Sequence, residues 1–481
     1  MFNRDWEWSE LTGFATREHP GNSLGVVSGR RRQGKTFLLQ ALARATGGFY
    51  FAATEATEAQ SLRRLGAAIA RHTGARRPLR FDDWEDASHE LFRLGANGPT
   101  PVIIDEFPYL VRSSPSLPSI LQAVIGVRTM DAHAPRPRLL LCGSALSFMG
   151  GLLSGTAPLR GRAGLELIVH SLNYREAARF WGIESPRLAV MVNAIVGGTP
   201  AYRREFAGDD APDGPDDFDD WVCRTVLNPA RPIYREAPYL LAEEADLRDR
   251  SLYHSVLAAV AGGNHTRGGI ADSIGRKATD ISLPLTVLQG CGLLNAEPDA
   301  FRGNRTSYRI AEPLIAFHHS IIEPSLDWLN QNTAADVWAR SQERFNSQVL
   351  GPHFEKLCRD WVSDHADIEV FGGLPTRVAQ GTVADPERRT SIELDVVVHG
   401  AIGQDNGILL SIGEAKWNKV MDLRHLERLQ HALRLLAAKG IDTTHSKPAC
   451  YSGLGFSDDL REAERRGDVV LVDLDRLYGG A

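Results

Sequence analysis

The chain has 481 residues, 43% of them hydrophobic and 24% charged, which fits a soluble globular protein of about three domains. Its formal net charge of −6 argues against a protein that coats nucleic acid over its whole surface, and leaves room for a local basic patch. No apolar run approaches the ~18 residues needed to span a bilayer, the N-terminus Met1–Trp6 lacks the apolar core of a signal peptide, and five scattered cysteines show no zinc or disulfide spacing. A reducing cytoplasm, with no membrane partner, is the expected setting.

The first predicted strand is the apolar run Leu24–Ser28. It leads into Gly29-Arg30-Arg31-Arg32-Gln33-Gly34-Lys35-Thr36, which fits the phosphate-binding loop G-x-x-x-x-G-K-[ST]. The spacing has a chemical reason. Two glycines let the backbone wrap so that successive N–H groups face the phosphates. Lys35 supplies a point charge to the β- and γ-oxygens, and Thr36 offers a hydroxyl to Mg²⁺. Phe37, Leu38, Leu39, Leu42 and Ala43 then have the spacing of one helix face. The strand, glycine loop and helix together give the motif the context it requires and point to ATP with Mg²⁺. The basic interior Arg30–Arg32 is unusual; it adds phosphate affinity or faces a partner.

Further strands are predicted at Phe49–Ala52, Pro101–Asp105, Leu139–Cys142 and Leu165–Val169, with helical patterns such as Ala59–His72 and Trp84–Leu94 between them. This alternation predicts an α/β fold, a P-loop-type parallel sheet with helices on both faces. Ile103-Ile104-Asp105-Glu106 ends an apolar strand in two acids. Beside the phosphate loop, Asp105 is a candidate Mg²⁺ holder and Glu106 a candidate base for the attacking water. Leu141-Cys142-Gly143-Ser144 ends the next strand, so Ser144 either senses the γ-phosphate or is an ordinary turn serine. Arg162 in Leu159-Arg160-Gly161-Arg162 is the candidate arginine for the transferring phosphoryl.

The order of these pieces, with Phe2-Asn3-Arg4-Asp5 before them and Val196-Gly197-Gly198-Thr199-Pro200-Ala201-Tyr202 after, resembles the archaeal-type ATPases, a branch of P-loop proteins near the AAA+ and STAND groups. The resemblance implies that Arg4 and Pro200 lie near the nucleotide base. It implies a sheet in which the loop-bearing strand lies between the neighbour of the Asp105 strand and the final strand. It covers roughly residues 1–320 and more loosely the rest.

The P-loop domain is expected over residues 1–208, followed by a linker or helical segment at 209–249 that opens with the Gly-, Pro- and Asp-rich run Asp209–Asp220. A winged helix is expected over 250–320: helices at Ser251–Ala261, Ile270–Gly275 and Ala278–Gln289, then strands at Gly292–Ala296 and Thr306–Ile310. Such a unit sets its last helix in a DNA groove, with Arg276 and Lys277 toward phosphates and the wing arginines Arg302 and Arg305 near the backbone, or it only packs between domains. Pro284, set in mid-helix, and the few bases on that face weigh against the first reading and leave both open. His318-His319 is read as structural.

Residues 345–481 are expected to open with an amphipathic helix (Leu350, Phe354, Leu357, Trp361) that carries Glu355. In Ser391–Val398 the alternation puts Glu393 and Asp395 on one face, and in Leu409–Trp417 it does the same for Glu414 and Lys416. Asp395 and Glu414, with Glu355 completing the set, are candidate ligands for a second divalent metal, and Lys416 a candidate to orient water. The pattern resembles the PD-(D/E)xK nuclease core. Two functions remain open. One is an ATPase switch coupled to DNA binding, with a metal-dependent DNase at its C-terminal end. The other is an ATP-dependent DNA- or protein-binding regulator whose nuclease-like domain docks or dimerises and cuts nothing. Self-association into a ring is conceivable for the superfamily, though no residue here shows it.

Overall fold

The computed structural model describes residues 2–16, 23–95, 100–130, 138–243 and 249–479. It divides into two compact units: Met1–Ser171 with Gly290–Gly292, and Leu172–Gln289 with Leu293–Ala481. The first closes at Ser171, not at 208 as the sequence suggested, so the Gly197–Tyr202 signature belongs to the second.

The first unit is built on β1 (Leu24–Ser28), β2 (Phe49–Ala52), β3 (Pro101–Asp105), β4 (Arg138–Gly143) and β5 (Ala163–Ile168). Every pairing is parallel, in the order β2-β3-β4-β1-β5. Both faces are covered, and so the strands read as apolar runs rather than alternations. Leu24, Val26, Ile104, Leu139 and Leu141 pack toward the helices Glu58–Thr73, Trp84–Leu94 and Leu117–Met130. Val27, Ile103, Leu140 and Cys142 pack on the opposite face with the helices Asp5–Thr16 and Lys35–Thr46. β1 sits between β4 and β5 as expected. Phe37 departs from expectation: Leu38, Leu39, Leu42 and Ala43 are buried, but Phe37 is 64% exposed. It lies on the flank of the stripe they form.

The second unit begins with helices. The glycine pair before Pro200 has a steric reason: a side chain on Gly198 would place its Cβ 1.8 Å from the Leu172 carbonyl oxygen. The Asp209–Asp220 run is more ordered than a linker. Arg224 pairs with Asp210 at 3.0 Å and Asp217 at 2.7 Å, and Phe218 and Trp221 are buried on a short helix, Phe218–Trp221.

Helices Arg250–Ala261, Arg267–Ser273 and Ser282–Gly290 follow, then the antiparallel hairpin β6 (Leu294–Pro298) and β7 (Thr306–Ile310). The third helix starts four residues later than predicted. Pro284 therefore falls in its first turn, where a missing N–H leaves no helical bond unmade. Arg276 and Lys277 lie in the preceding turn, not on the helix, and are exposed. His318 and His319 are both buried.

The last part is a five-stranded sheet in the order β12-β11-β10-β9-β8. Its strands are β8 (Leu374–Asp385), β9 (Thr390–Ile402), β10 (Asp405–Lys416), β11 (Lys447–Ser452) and β12 (Val470–Val472). β8, β9 and β10 pair antiparallel, whereas β10, β11 and β12 pair parallel. The helix Gly351–Asp364 precedes this sheet and Leu423–Ala438 crosses between β10 and β11. Between β9 and β10 the ladder ends at Val396↔Gly413. Beyond that pair the start of β9 stays with β8, and the end of β10 stays with β11. The sheet forks there.

Candidate functional site

The phosphate loop is shaped by backbone demands. Gly34 has φ 90°, and Gly29 has φ 148° with a would-be Cβ 2.4 Å from the Val169 carbonyl oxygen, so neither position suits a side chain. Arg32 also takes a left-handed conformation, at φ 67°. Gly34 caps the helix Lys35–Thr46 without a side-chain hydrogen bond. The first N–H groups of that helix are thus left to an external anion.

Lys35 is buried, and its Nζ donates to the carbonyl oxygens of Gly29 and Arg30, each at 2.7 Å. Burial lowers its pKa, against the opposing pull of Cys142, Glu106 and Asp105. Thr36 Oγ1 donates to Asp105 Oδ2 at 2.8 Å, which joins the loop to the end of β3. Tyr50 OH donates to the same oxygen at 2.7 Å, and the Glu106 N–H donates to Oδ1 at 3.0 Å. Asp105 is 2% exposed, so this buried carboxylate is held by neutral donors.

Glu106 itself has φ 54°, a conformation costing a non-glycine residue ~1–3 kcal/mol. Ser144 Oγ lies 3.3 Å from Glu106 Oε2, at the end of β4. Arg4 braces the loop from outside. Its Nη2 donates to the His170 carbonyl at 2.7 Å and the Gln33 carbonyl at 3.4 Å, and Nη1 pairs with Glu7 at 2.6 Å. Arg162 lies one residue before β5, half-buried, and among the described residues its side chain makes no hydrogen bond or ion pair. Pro200 belongs to the second unit.

The second candidate site sits at the fork of the C-terminal sheet. Asp395 Oδ2 accepts the Ala415 N–H at 2.8 Å, so a side chain bridges β9 and β10 where their ladder has ended. Lys416 Nζ lies 3.0 Å from Glu414 Oε1 and 3.8 Å from Asp395 Oδ2. Arg428, on the helix Leu423–Ala438, brings Nη1 to 2.9 Å from Glu414 Oε2, an ion pair without hydrogen-bond alignment. Glu355 Oε2 lies 3.4 Å from Arg309 Nη2, and Arg359 Nη1 donates to the Asp395 carbonyl at 3.0 Å.

Burial and then Asp395 push the Glu355 carboxyl up, and burial likewise raises Asp395. Burial would also raise Glu414, but Lys416 and Arg428 hold it below the usual range. For Lys416, burial opposes the charge and the two carboxylates outweigh it. The predicted residues Asp395, Glu414, Lys416 and Glu355 therefore share one neighbourhood. Among the described residues, however, no group of three or more His, Cys, Asp or Glu is gathered as a metal cage. The expected carboxylate cage is interleaved with cations instead.

Sequence reading missed Tyr50, Arg309 and Arg428. Tyr50 had a signal: the parallel pairing of β2 with β3 sets it on the same face as Asp105. Arg309 and Arg428 had none, because each reaches its carboxylate only through tertiary packing.

No protein-family model matches the chain. An uncharacterized protein of Methanocaldococcus jannaschii is 24% identical over 455 residues, covering 94% of each chain. Among solved structures, a Walker-type ATPase of Pyrococcus abyssi is similar, with 19% identity, a TM-score of 0.49, and coverage of 66% of this chain and 96% of that one. The ORC2 protein of Aeropyrum pernix, in its ADPNP–ADP complexes, is similar over 71% of this chain and 95% of its own, at 17% identity and a TM-score of 0.42. No described helix is long and apolar enough to cross a membrane.

Proposed function

We propose that the chain is an ATP-hydrolysing switch whose nucleotide state governs a DNA-directed second unit. The observation that carries this reading is the Thr36–Asp105 hydrogen bond at the mouth of a glycine-shaped loop that also holds Lys35. Hydroxyl and carboxylate oxygens suit a hard cation such as Mg²⁺. When bound, Mg²⁺ neutralises charge on the β- and γ-oxygens. Lys35 exchanges its two loop carbonyls for phosphate oxygens. The N–H groups of Gly29–Thr36 cradle the phosphates, with Arg30, Arg31, Arg32 and Gln33 forming the loop interior. Glu106, held by Ser144, orients and deprotonates the attacking water. Arg162 is the candidate for transition-state charge, and Arg4 for the base end. The coupling is a differential affinity of ATP for two arrangements of the second unit. Lys35→Ala is expected to remove ATP binding and turnover; a variant that binds and hydrolyses ATP unchanged refutes the reading.

For the second unit, the helix–helix–helix–hairpin order supports a winged helix directed to DNA. The helix–three strands–helix–strand order around Asp395, Glu414 and Lys416 supports a nuclease-like domain. Carboxylate oxygens are the donors a divalent cation prefers, and Asp395, Glu414 and Glu355 would hold it. Lys416 would orient water or neutralise charge on the scissile phosphate. A second reading, a docking domain that cuts nothing, is favoured by Arg309, Arg428 and Lys416 already occupying those carboxylates. Labelled DNA with Mn²⁺ separates the two. Nicking that disappears in Asp395→Ala and Lys416→Ala supports cleavage, and absence of nicking supports docking.

A further inference from the structure

We propose that Arg309, carried on the β6–β7 hairpin, is a latch that competes with a divalent cation for Glu355. The inference rests on reading Asp395, Glu414 and Glu355 as the cation-binding set. Its own support is how the hairpin is fixed. The Ala300 N–H donates to the Gln380 carbonyl of β8 at 2.9 Å. The Phe301 ring lies over Gly381, where an added Cβ would come within 2.8 Å of the ring atoms. The hairpin is thus anchored to the C-terminal sheet and is not a free wing.

From that anchor Arg309 Nη2 donates to Gln380 Oε1 at 2.8 Å and approaches Glu355 Oε2 at 3.4 Å. Its Nε is buried without a hydrogen bond, 4.0 Å from a Glu297 carboxylate oxygen. A guanidinium left partly unsatisfied is held less firmly than a fully bonded one. Glu297 also pairs with Arg359 at 3.4 Å, and Arg359 donates to the Asp395 backbone carbonyl, so the hairpin reaches the Glu355 carboxylate through Arg309 and the main chain at Asp395 through Arg359. Two cations cannot share one carboxylate face at low cost, so loading Glu355 with a divalent ion displaces Arg309. Whatever draws the hairpin away from β8 then favours cation loading.

The test is Mn²⁺ binding to the full chain without nucleotide, followed by the paramagnetic resonance of free Mn²⁺. Arg309→Gln is expected to tighten binding about tenfold. Arg309→Lys keeps the charge and loses the fork, and should tighten it about threefold; it serves if the glutamine variant fails to fold. Glu355→Gln should weaken binding and cancel the gain in the Arg309→Gln double variant. Unchanged or weaker binding in both Arg309 variants overturns the latch while leaving the cation site standing. Unchanged binding in Asp395→Asn removes the cation site itself.

Discussion

The phosphate loop and the fork of the C-terminal sheet each gather buried carboxylates, yet they neutralise them in opposite ways. Asp105 is satisfied by a threonine hydroxyl, a tyrosine hydroxyl and a backbone N–H. Asp395, Glu414 and Glu355 are matched mainly by lysine and arginine. Neutral donors can rotate toward or away from an arriving cation at small cost. Charged partners must be expelled, because like charges repel at close range. On the proposed reading, the first site is therefore pre-organised for a metal–nucleotide pair, and the second stays closed until a cation partner moves.

The contrast can be broken most forcefully at Glu106. Glu106→Gln keeps the shape and removes the proposed base, so ATP turnover should fall ~10²-fold or more with ATP affinity retained. Single-turnover hydrolysis beside equilibrium binding checks this, and a matching loss of affinity contradicts it.

Acid provides the next test, and it acts on the second unit. Burial lowers His265 to about 4, His318 to about 4 and His353 to about 3. Their neutral forms are favoured when folded, so their contribution is present above the unfolded value near 6.5 and is lost as pH falls toward 4. Each should give up on the order of 1–3 kcal/mol across that window. Urea unfolding at pH 7.5 and pH 5, in wild type and His353→Gln, reads the difference; a pH-independent midpoint rejects it.

Lys416→Met leaves two carboxylates facing each other and should destabilise the second unit by about 2–3 kcal/mol. The matched change at the other site is smaller. Tyr50→Phe leaves Asp105 two donors and should cost about 1 kcal/mol, with turnover within about threefold of wild type. Equal losses from the two substitutions would erase the distinction between neutral and charged neutralisation.

The parallel sheet was legible because a strand buried on both faces must be a short apolar run, and Leu24–Ser28 and Pro101–Asp105 read as such to the residue. The loop was legible because its glycines answer a backbone requirement that sequence states directly. The helix at Ser282 was harder. Pro284 fits a helix in two places, its first turn or a costly middle, and only the packing of Leu285 and Leu288 decides which. The Asp209–Asp220 run looked like solvent because its acids suggested no partner, yet Arg224 collects two of them. The arginines at the sheet fork were hidden for the same reason. Arg309 and Glu355 are 46 residues apart, and no local period links them.

The folded-back Lys35 has a consequence for selectivity. Its ammonium already enjoys two short charge–dipole contacts with the loop's own oxygens. An incoming molecule gains only the surplus over what it displaces. A nucleoside, or a ligand with a single weak anionic group, offers little surplus, whereas a polyanionic tail offers a great deal. On the proposed reading, the loop thereby screens its visitors by charge density before any recognition of the base begins.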